Sequence, residues 1–193
     1  TYVGKMDIIS CLATLSYDQR RSEFFSKELI TILKLVDSEI IDYKILFGSW
    51  AGAFGNFQFM PRTIKNYAID YNNNQTIELK NIEDSFASAA NYLKRVGWSN
   101  KITWGRKVYI GNLNKKFNSK KFYFLKEWNK KGVLNENKEK LPQVNVKARL
   151  IIPDNYGNYG YLVYSNFESL LNWNRSNYFA IAVGKLSDSI NEN

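Results

Sequence analysis

Histidine is absent from the 193 residues. That absence removes Ser/His and Cys/His nucleophilic arrangements, imidazole metal ligands and histidine pH switches together. Cysteine occurs once, as Cys11, which excludes an intrachain disulfide and a thiolate zinc cluster. Its place in the run Ile8-Ile9-Ser10-Cys11-Leu12-Ala13 predicts a small buried hydrophobe and not a reactive thiol. Long apolar runs are also missing. Lys34 and Asp37 break up even the greasy stretch around Leu29 to Val36, far short of the roughly 18 residues of a membrane span. The chain opens on Thr1, with no basic and then apolar leader behind it, and reads as a fragment or a processed product. What is present is apolar mass: 45% hydrophobic and 16% aromatic residues exclude wholesale disorder and suffice for one core, or one domain carrying a subdomain.

Charge is unevenly placed. Residues 1–100 hold 11 basic and 11 acidic side chains, residues 101–147 hold 13 and 3, and residues 148–193 hold 3 and 4. The net charge of +9 therefore comes from the middle segment. That segment also carries Asn112, Asn114, Asn118, Asn129, Asn135 and Asn137 and reads as a polar, loop-rich insertion with short strands. A basic patch suits a polyanion, either nucleic acid or an acidic wall polymer, while a coding bias toward Lys and Asn would give the same composition.

Helical spacing marks Asp7 to Leu15, and then Phe25, Leu29, Ile32, Leu33 and Val36. Pro61 suits a first helical turn, with Ile64, Tyr67 and Ala68 following, and the polar run from Asn72 to Gln75 ends that helix. Asp84 or Ser85 is placed to cap a further helix through Tyr92 and Leu93, which Gly97 ends. Lys107 to Ile110, Val144 to Ile152 with nearly regular alternation, and Tyr161 to Tyr164 have strand character. Phe167 to Ile190 returns to helical spacing, broken around Asn172 to Asn177. Helices flanking a small strand-rich insertion make an α+β, mainly helical chain, divided as 1–100, an insertion at 101–160, and 161–193.

The most unusual passage is Gly48-Ser49-Trp50-Ala51-Gly52-Ala53-Phe54-Gly55-Asn56-Phe57-Gln58-Phe59-Met60-Pro61. Three glycines and small residues among four aromatics make a poor helix and a poor strand, but allow the backbone to bend closely around a ligand. Aromatic faces with a few amides and hydroxyls also suit a neutral sugar ring. On the residues alone, an aromatic structural loop and a glycan cleft stand level.

This passage resembles the active-site segment of the membrane-bound lytic murein transglycosylase B family. The resemblance extends to Leu12-Ala13-Thr14-Leu15-Ser16-Tyr17-Asp18, Arg20-Arg21-Ser22-Glu23-Phe24-Phe25, Ala90-Asn91-Tyr92-Leu93, Gly97-Trp98 and the stretch from Trp173 to Val183. It implies a lysozyme-like core that binds peptidoglycan glycan strands. It also implies cleavage of the MurNAc–GlcNAc bond without water, giving 1,6-anhydro-muropeptides. One glutamic acid protonates the leaving oxygen and then deprotonates the muramoyl 6-hydroxyl, which replaces the second carboxylate of ordinary glycosidases.

In the family that glutamate lies in a Glu-Thr-x-x-Gly-like motif, whose place falls just upstream of Thr1. No catalytic residue is therefore assigned within the chain, and the 193-residue polypeptide itself is expected to be inactive. Glu23 and Glu28, the first glutamates, are expected to be solvated or salt-bridged on their helix. Matching motifs imply sugar-lining roles for Ser49 and Gln58, a cleft tyrosine at Tyr92 and a cleft amide at Asn174. Phe24, Trp173 and Phe179 fall where some relatives have tyrosine, so stacking is kept and a hydroxyl is lost.

Asp70, Asn72, Asn74 and Thr76 alternate oxygen-bearing side chains as in an EF-hand-like loop, with Asp84 placed to close the sphere. The family implies a structural calcium ion here. Gln75 stands where glycine is wanted and asparagines replace acids, so a weak calcium site and an Asn-rich turn without metal stand level. The resemblance further implies a monomer in the periplasm or on the outer membrane of a Gram-negative bacterium, attached peripherally through its N-terminal side. Nucleic acid is not an expected partner. Two rivals remain: a non-catalytic peptidoglycan-binding remnant, and a nucleic-acid binder using Lys101 to Lys147.

Overall fold

A computed structural model describes residues 4–111, 113 and 121–191. Asn112, Asn114 and Asn118 of the basic segment, and Thr1 to Val3 of the matched N-terminal stretch, lie outside the described residues. The chain divides into two compact units, Thr1–Arg95 and Val96–Asn193. Residues 161–193 thus fall in the same unit as the strand-rich segment.

The first unit is helical. Strand β1 (Met6–Asp7) leads into α1 (Ile8–Tyr17), whose first turn is capped by Asp7 accepting the Ser10 N–H at 2.7 Å. Helix α2 (Ser22–Asp37) packs back on α1, burying Ile8 and Leu12 against the stripe of Phe25, Ile32 and Leu35. Cys11 on α1 is half-buried, a correction to the buried expectation: Ile8 and Leu12, four residues apart, take the core face. A short strand β2 (Phe47–Gly48) pairs antiparallel with β1, and the loop that follows runs into α3 (Pro61–Tyr67) and α4 (Ile82–Arg95). Helix α4 starts before the expected cap: Asn81 accepts the Glu83 N–H at 2.8 Å, and Asp84 and Ser85 are buried inside its first turns.

The second unit is built on a five-stranded antiparallel sheet. Its strands are β3 (Gly105–Tyr109), β4 (Tyr123–Phe124), β5 (Leu134–Asn135), β6 (Lys147–Ile151) and β7 (Tyr159–Val163), in the order β4-β6-β7-β3-β5. Val108, Leu150 and Leu162 on one sheet face join Trp128, Leu125 and Leu141 in a core of their own. Leu125 and Trp128 belong to α5 (Leu125–Lys130), a helix that the Lys- and Asn-rich composition of this stretch concealed. Strand β6 is shorter than the expected Val144 to Ile152 and is buried at every position from Ala148 to Ile151. Alternation failed there because the second face is covered too: Arg149 pairs with Glu168 at 2.7 Å on α6 (Ser165–Trp173). Helix α7 (Asn177–Asn191) follows, its Gly184 so close to the Trp104 indole that a Cβ there would lie 2.3 Å from the ring.

Candidate functional site

The Gly48–Pro61 loop is held in shape by its own backbone. Gly52 N–H donates to Ser49 O at 3.0 Å, and Ser49 N–H donates to Ala53 O at 2.9 Å. Phe54 and Phe59 then exchange two bonds of 2.9 Å, a one-rung antiparallel bridge around Gly55 to Gln58. Gly52 and Gly55 adopt φ of +85° and +77°, so the chain turns where a side chain would be strained. Space is equally short there: a Cβ on Gly55 would lie 2.5 Å from the Leu79 Cβ and 2.6 Å from its carbonyl oxygen. With Phe54 and Phe59 buried, Trp50 is pushed outward and stands 68% exposed.

The polar residues of the loop are partly committed to holding it. Ser49 Oγ accepts the Ala53 N–H at 3.0 Å, and a hydroxyl that accepts can still donate its proton outward. Gln58, exposed and at φ +54°, donates its side-chain amide to Gly55 O at 2.9 Å. Tyr92 is buried, with its ring 4.8 Å from that of Tyr67 and 5.9 Å from that of Phe59. Burial, and then the neighbouring Tyr67, push its phenol above the ordinary range. Phe24 is half-buried on α2, edge-on to Phe25, with the guanidinium groups of Arg21 and Arg62 4.3 and 5.2 Å from its ring centre.

Four of the expected site residues, Phe24, Ser49, Gln58 and Tyr92, therefore belong to the first unit. There Phe59 links the loop to Tyr92, and Arg62, just past the loop, reaches Phe24. Trp173, Asn174 and Phe179 belong to the second unit, at the end of α6, just after it, and in the first turn of α7. Asn174 ends α6, is exposed, and accepts the Ser176 N–H at 3.1 Å, while the Phe179 N–H donates to Ser176 Oγ at 3.3 Å.

Glu28 is buried instead of solvated. Its carboxylate accepts the Arg62 backbone N–H at 2.9 Å and Arg62 Nε at 2.7 Å, so it closes the start of α3 directly after the loop. Glu23 is exposed and paired with Lys27. Sequence reasoning missed three supports. Arg62 could have been found as the base at the start of a helix opposite a helical glutamate. Asn56 ties the loop to Leu79 O, Lys80 O and Ser85 Oγ, at 2.8, 3.2 and 3.1 Å. Trp50 stands in the sequence only as one aromatic of the motif, and the fold makes it an exposed aromatic face.

In the loop from Asp70 to Thr76 the oxygens are drawn inward by backbone N–H groups. Asp70 accepts from Asn74 and Gln75, Asn72 from Asn74, and Asn74 from Thr76. Asn73 and Gln75 take the left-handed turn positions at φ +59° and +73°, so Gln75 holds a glycine-like conformation. Asp84 spends one oxygen on the Tyr71 N–H and the other on the Glu78 N–H, both at 2.9 Å. Among the described residues no three His, Cys, Asp or Glu side chains are grouped to hold a metal. The donor set is nevertheless all oxygen, which fits a hard cation, with carboxylate charge only from Asp70 and Asp84.

A family model described as "Transglycosylase SLT domain" matches residues 1–188. The chain belongs to the transglycosylase SLT domain family. It is 33% identical over 191 residues to the membrane-bound lytic murein transglycosylase B of Escherichia coli K12, covering 97% of this chain and 52% of that protein. The fold is similar to that of SltB3 from Pseudomonas aeruginosa in complex with NAG-NAM-pentapeptide, at a TM-score of 0.94 and 33% identity. That alignment covers 100% of this chain and 53% of SltB3. The Escherichia coli lytic transglycosylase Slt35, solved in complex with calcium, superposes with a TM-score of 0.83 at 32% identity, covering 97% of this chain and 60% of that one. This SLT-family chain therefore spans about half the length of its transglycosylase B and SltB3 relatives.

Proposed function

We propose that the chain carries the glycan-binding groove of a peptidoglycan lytic transglycosylase, which cleaves MurNAc–GlcNAc bonds to leave 1,6-anhydro ends. The observation that carries this reading is the Gly48–Pro61 loop, where two left-handed glycines and a one-rung bridge expose Trp50 and Gln58 beside the half-buried Ser49. Such a surface offers an aromatic face to a sugar ring, and an amide and a hydroxyl to its oxygens. Phe24 and Tyr92 of the same unit complete the proposed contacts there, and Trp173, Asn174 and Phe179 are proposed as glycan contacts of the second unit by itself. The likeness to SltB3 bound to a NAG-NAM-pentapeptide supports the same choice of ligand.

The carboxyl that protonates the leaving oxygen comes, on this reading, from a glutamate placed just ahead of Thr1. Glu28 is unsuited to that task because Arg62 and the start of α3 occupy both its oxygens. The proposed place of action is the periplasmic side of a Gram-negative envelope, as a monomer. The Asp70–Asp84 loop is proposed to bind calcium weakly, with Asp70, Asn72, Asn74, Thr76 and Asp84 as its oxygen donors. With two carboxylates the affinity belongs at the weak end of such sites, roughly 10⁻⁴–10⁻³ M.

Backbone amide shifts during titration with NAG-NAM disaccharide test the groove. The expected result is perturbation of Ser49 to Gln58 and of Tyr92. Perturbation confined to residues 101–147 would move the site to the basic segment and overturn the proposal.

A further inference from the structure

The first unit holds a groove of about 460 Å³, lined by none of the residues assigned to the glycan or to calcium. Its volume lies within the roughly 300–1,000 Å³ usual for ligand sites.

Helix spacing explains its walls. Thr31, Lys34 and Leu35 stand three and four positions apart on one stripe of α2, and Ser38 continues that stripe past the helix end. Helix α3, packed against α2, supplies Ile64 and Lys65, with Ala68 just after it. Ile40 and Ile77 complete the lining. The Ile77 N–H donates to Ile40 O at 2.9 Å, which ties the segment leaving the Asp70–Thr76 loop to the turn after α2.

The lining divides into an aliphatic surface and two cations. Leu35 and Ile64 are buried, Ala68 and Ile77 half-buried, and Ile40 is 37% exposed. Among the described residues no aromatic ring and no acidic side chain lines the groove. Lys34 and Lys65 each stand in the last turn of their helix, where the dipole favours a cation, so each of the two walls carries an ammonium without needing an acid. Both are exposed, and neither enters an ion pair among the described residues. The unspent charge is positive, beside aliphatic surface set in a recess.

We propose that this groove binds a free single-chain anionic amphiphile of the fatty-carboxylate type. Its alkyl chain lies on Leu35, Ile40, Ile64, Ala68 and Ile77, and its carboxylate is held by Lys34 and Lys65. Charge complementarity selects this occupant: an uncharged alkyl chain leaves both ammonium groups unused, and a hydrophilic polyanion leaves the aliphatic surface bare. Four of the five aliphatic residues are buried or half-buried, which suits a chain entering the recess and not a bilayer, against which apolar side chains must project. The proposal stands independently of the murein reading.

The test is an amide-shift titration of the 193-residue protein with octanoate, decanoate, octanol, octyltrimethylammonium and vesicles of phosphatidylglycerol. Octanoate is expected to shift residues 34–40, 64–68 and 77, and decanoate to bind about tenfold more tightly, as two further buried methylenes require. Octyltrimethylammonium is expected to bind at least tenfold more weakly than octanoate. The double variant Lys34→Gln, Lys65→Gln, at two exposed positions, is expected to lose about tenfold for octanoate while keeping its affinity for octanol, which a folding defect would not spare. No shift at these residues with millimolar decanoate overturns the site. Equal affinity for the cationic and anionic chains overturns the role of the two lysines. Shifts that appear with vesicles alone assign the face to a membrane surface, and shifts on diluting the protein without any amphiphile assign it to a second copy of the chain; either result overturns the proposal.

Discussion

Asp7 stands at the start of α1, where its carboxylate is held below the usual range by hydrogen bonding to Ser10, from the side chain first and the backbone N–H second. A group lowered in this way contributes stability that is complete above the unfolded value, about 3.9, and lost as pH falls through the folded one. Asp7→Ala is therefore expected to cost about 1 kcal/mol at pH 7, and the gap to the parent should narrow as pH falls below the unfolded value. Urea unfolding of both proteins across pH 2.5 to 7 checks this, and a gap undiminished at the acid end would contradict it. The sequence already pointed to this helix start, because Asp before an apolar run is a local signal. The burial of Glu28 was not legible, since its partner Arg62 is 34 positions away and only the fold brings them within 2.7 Å.

Among the elements, the Gly48–Pro61 loop makes the sharpest structural demand. Gly55→Ala places a methyl group against the backbone of Leu79, which cannot withdraw without breaking the Asn56-to-Leu79 bond of 2.8 Å. Strain at positive φ and overpacking together predict a loss of about 2–4 kcal/mol by denaturant unfolding. Gly157→Ala is the comparison, since it has positive φ with open space around it and should cost only about 1 kcal/mol. Equal losses at the two sites would refute the close packing. For the Asp70–Asp84 loop, calcium at several millimolar should raise the melting temperature of the parent by binding its native state, and the rise should vanish in Asp70→Ala. An unshifted melting temperature in the parent would retire the metal. Periodicity located the helices of the first unit well, because each has one apolar face. It misjudged β6, whose two buried faces erase the alternation, and hid α5 inside a basic, Asn-rich stretch.

On the scale of the whole molecule, the net charge of +9 suggested a polyanion. The structure instead gives much of that basic segment a sheet with its own buried core and a groove where acidic and basic side chains partly cancel. The division into two units was only half legible, because the return to helical spacing after Phe167 looked like a return to the first unit. The residues of α6 and α7 belong with the sheet. The candidate site was legible chiefly as a motif: a long run of glycines and aromatics is unusual enough to carry a family likeness. The exposure of Trp50 and the burial of Phe54 and Phe59 needed the folded backbone. The central claim is that this chain supplies the glycan groove while the acid comes from ahead of Thr1. Mass spectrometry of soluble products from purified murein sacculi tests it most directly, comparing the 193-residue polypeptide with the same polypeptide extended by a glutamate-bearing segment before Thr1. Anhydro-muropeptides are expected from the extended polypeptide alone, with both forms sedimenting with sacculi; their release by the 193-residue polypeptide, or reducing ends in place of anhydro ends from the extended one, would contradict the account.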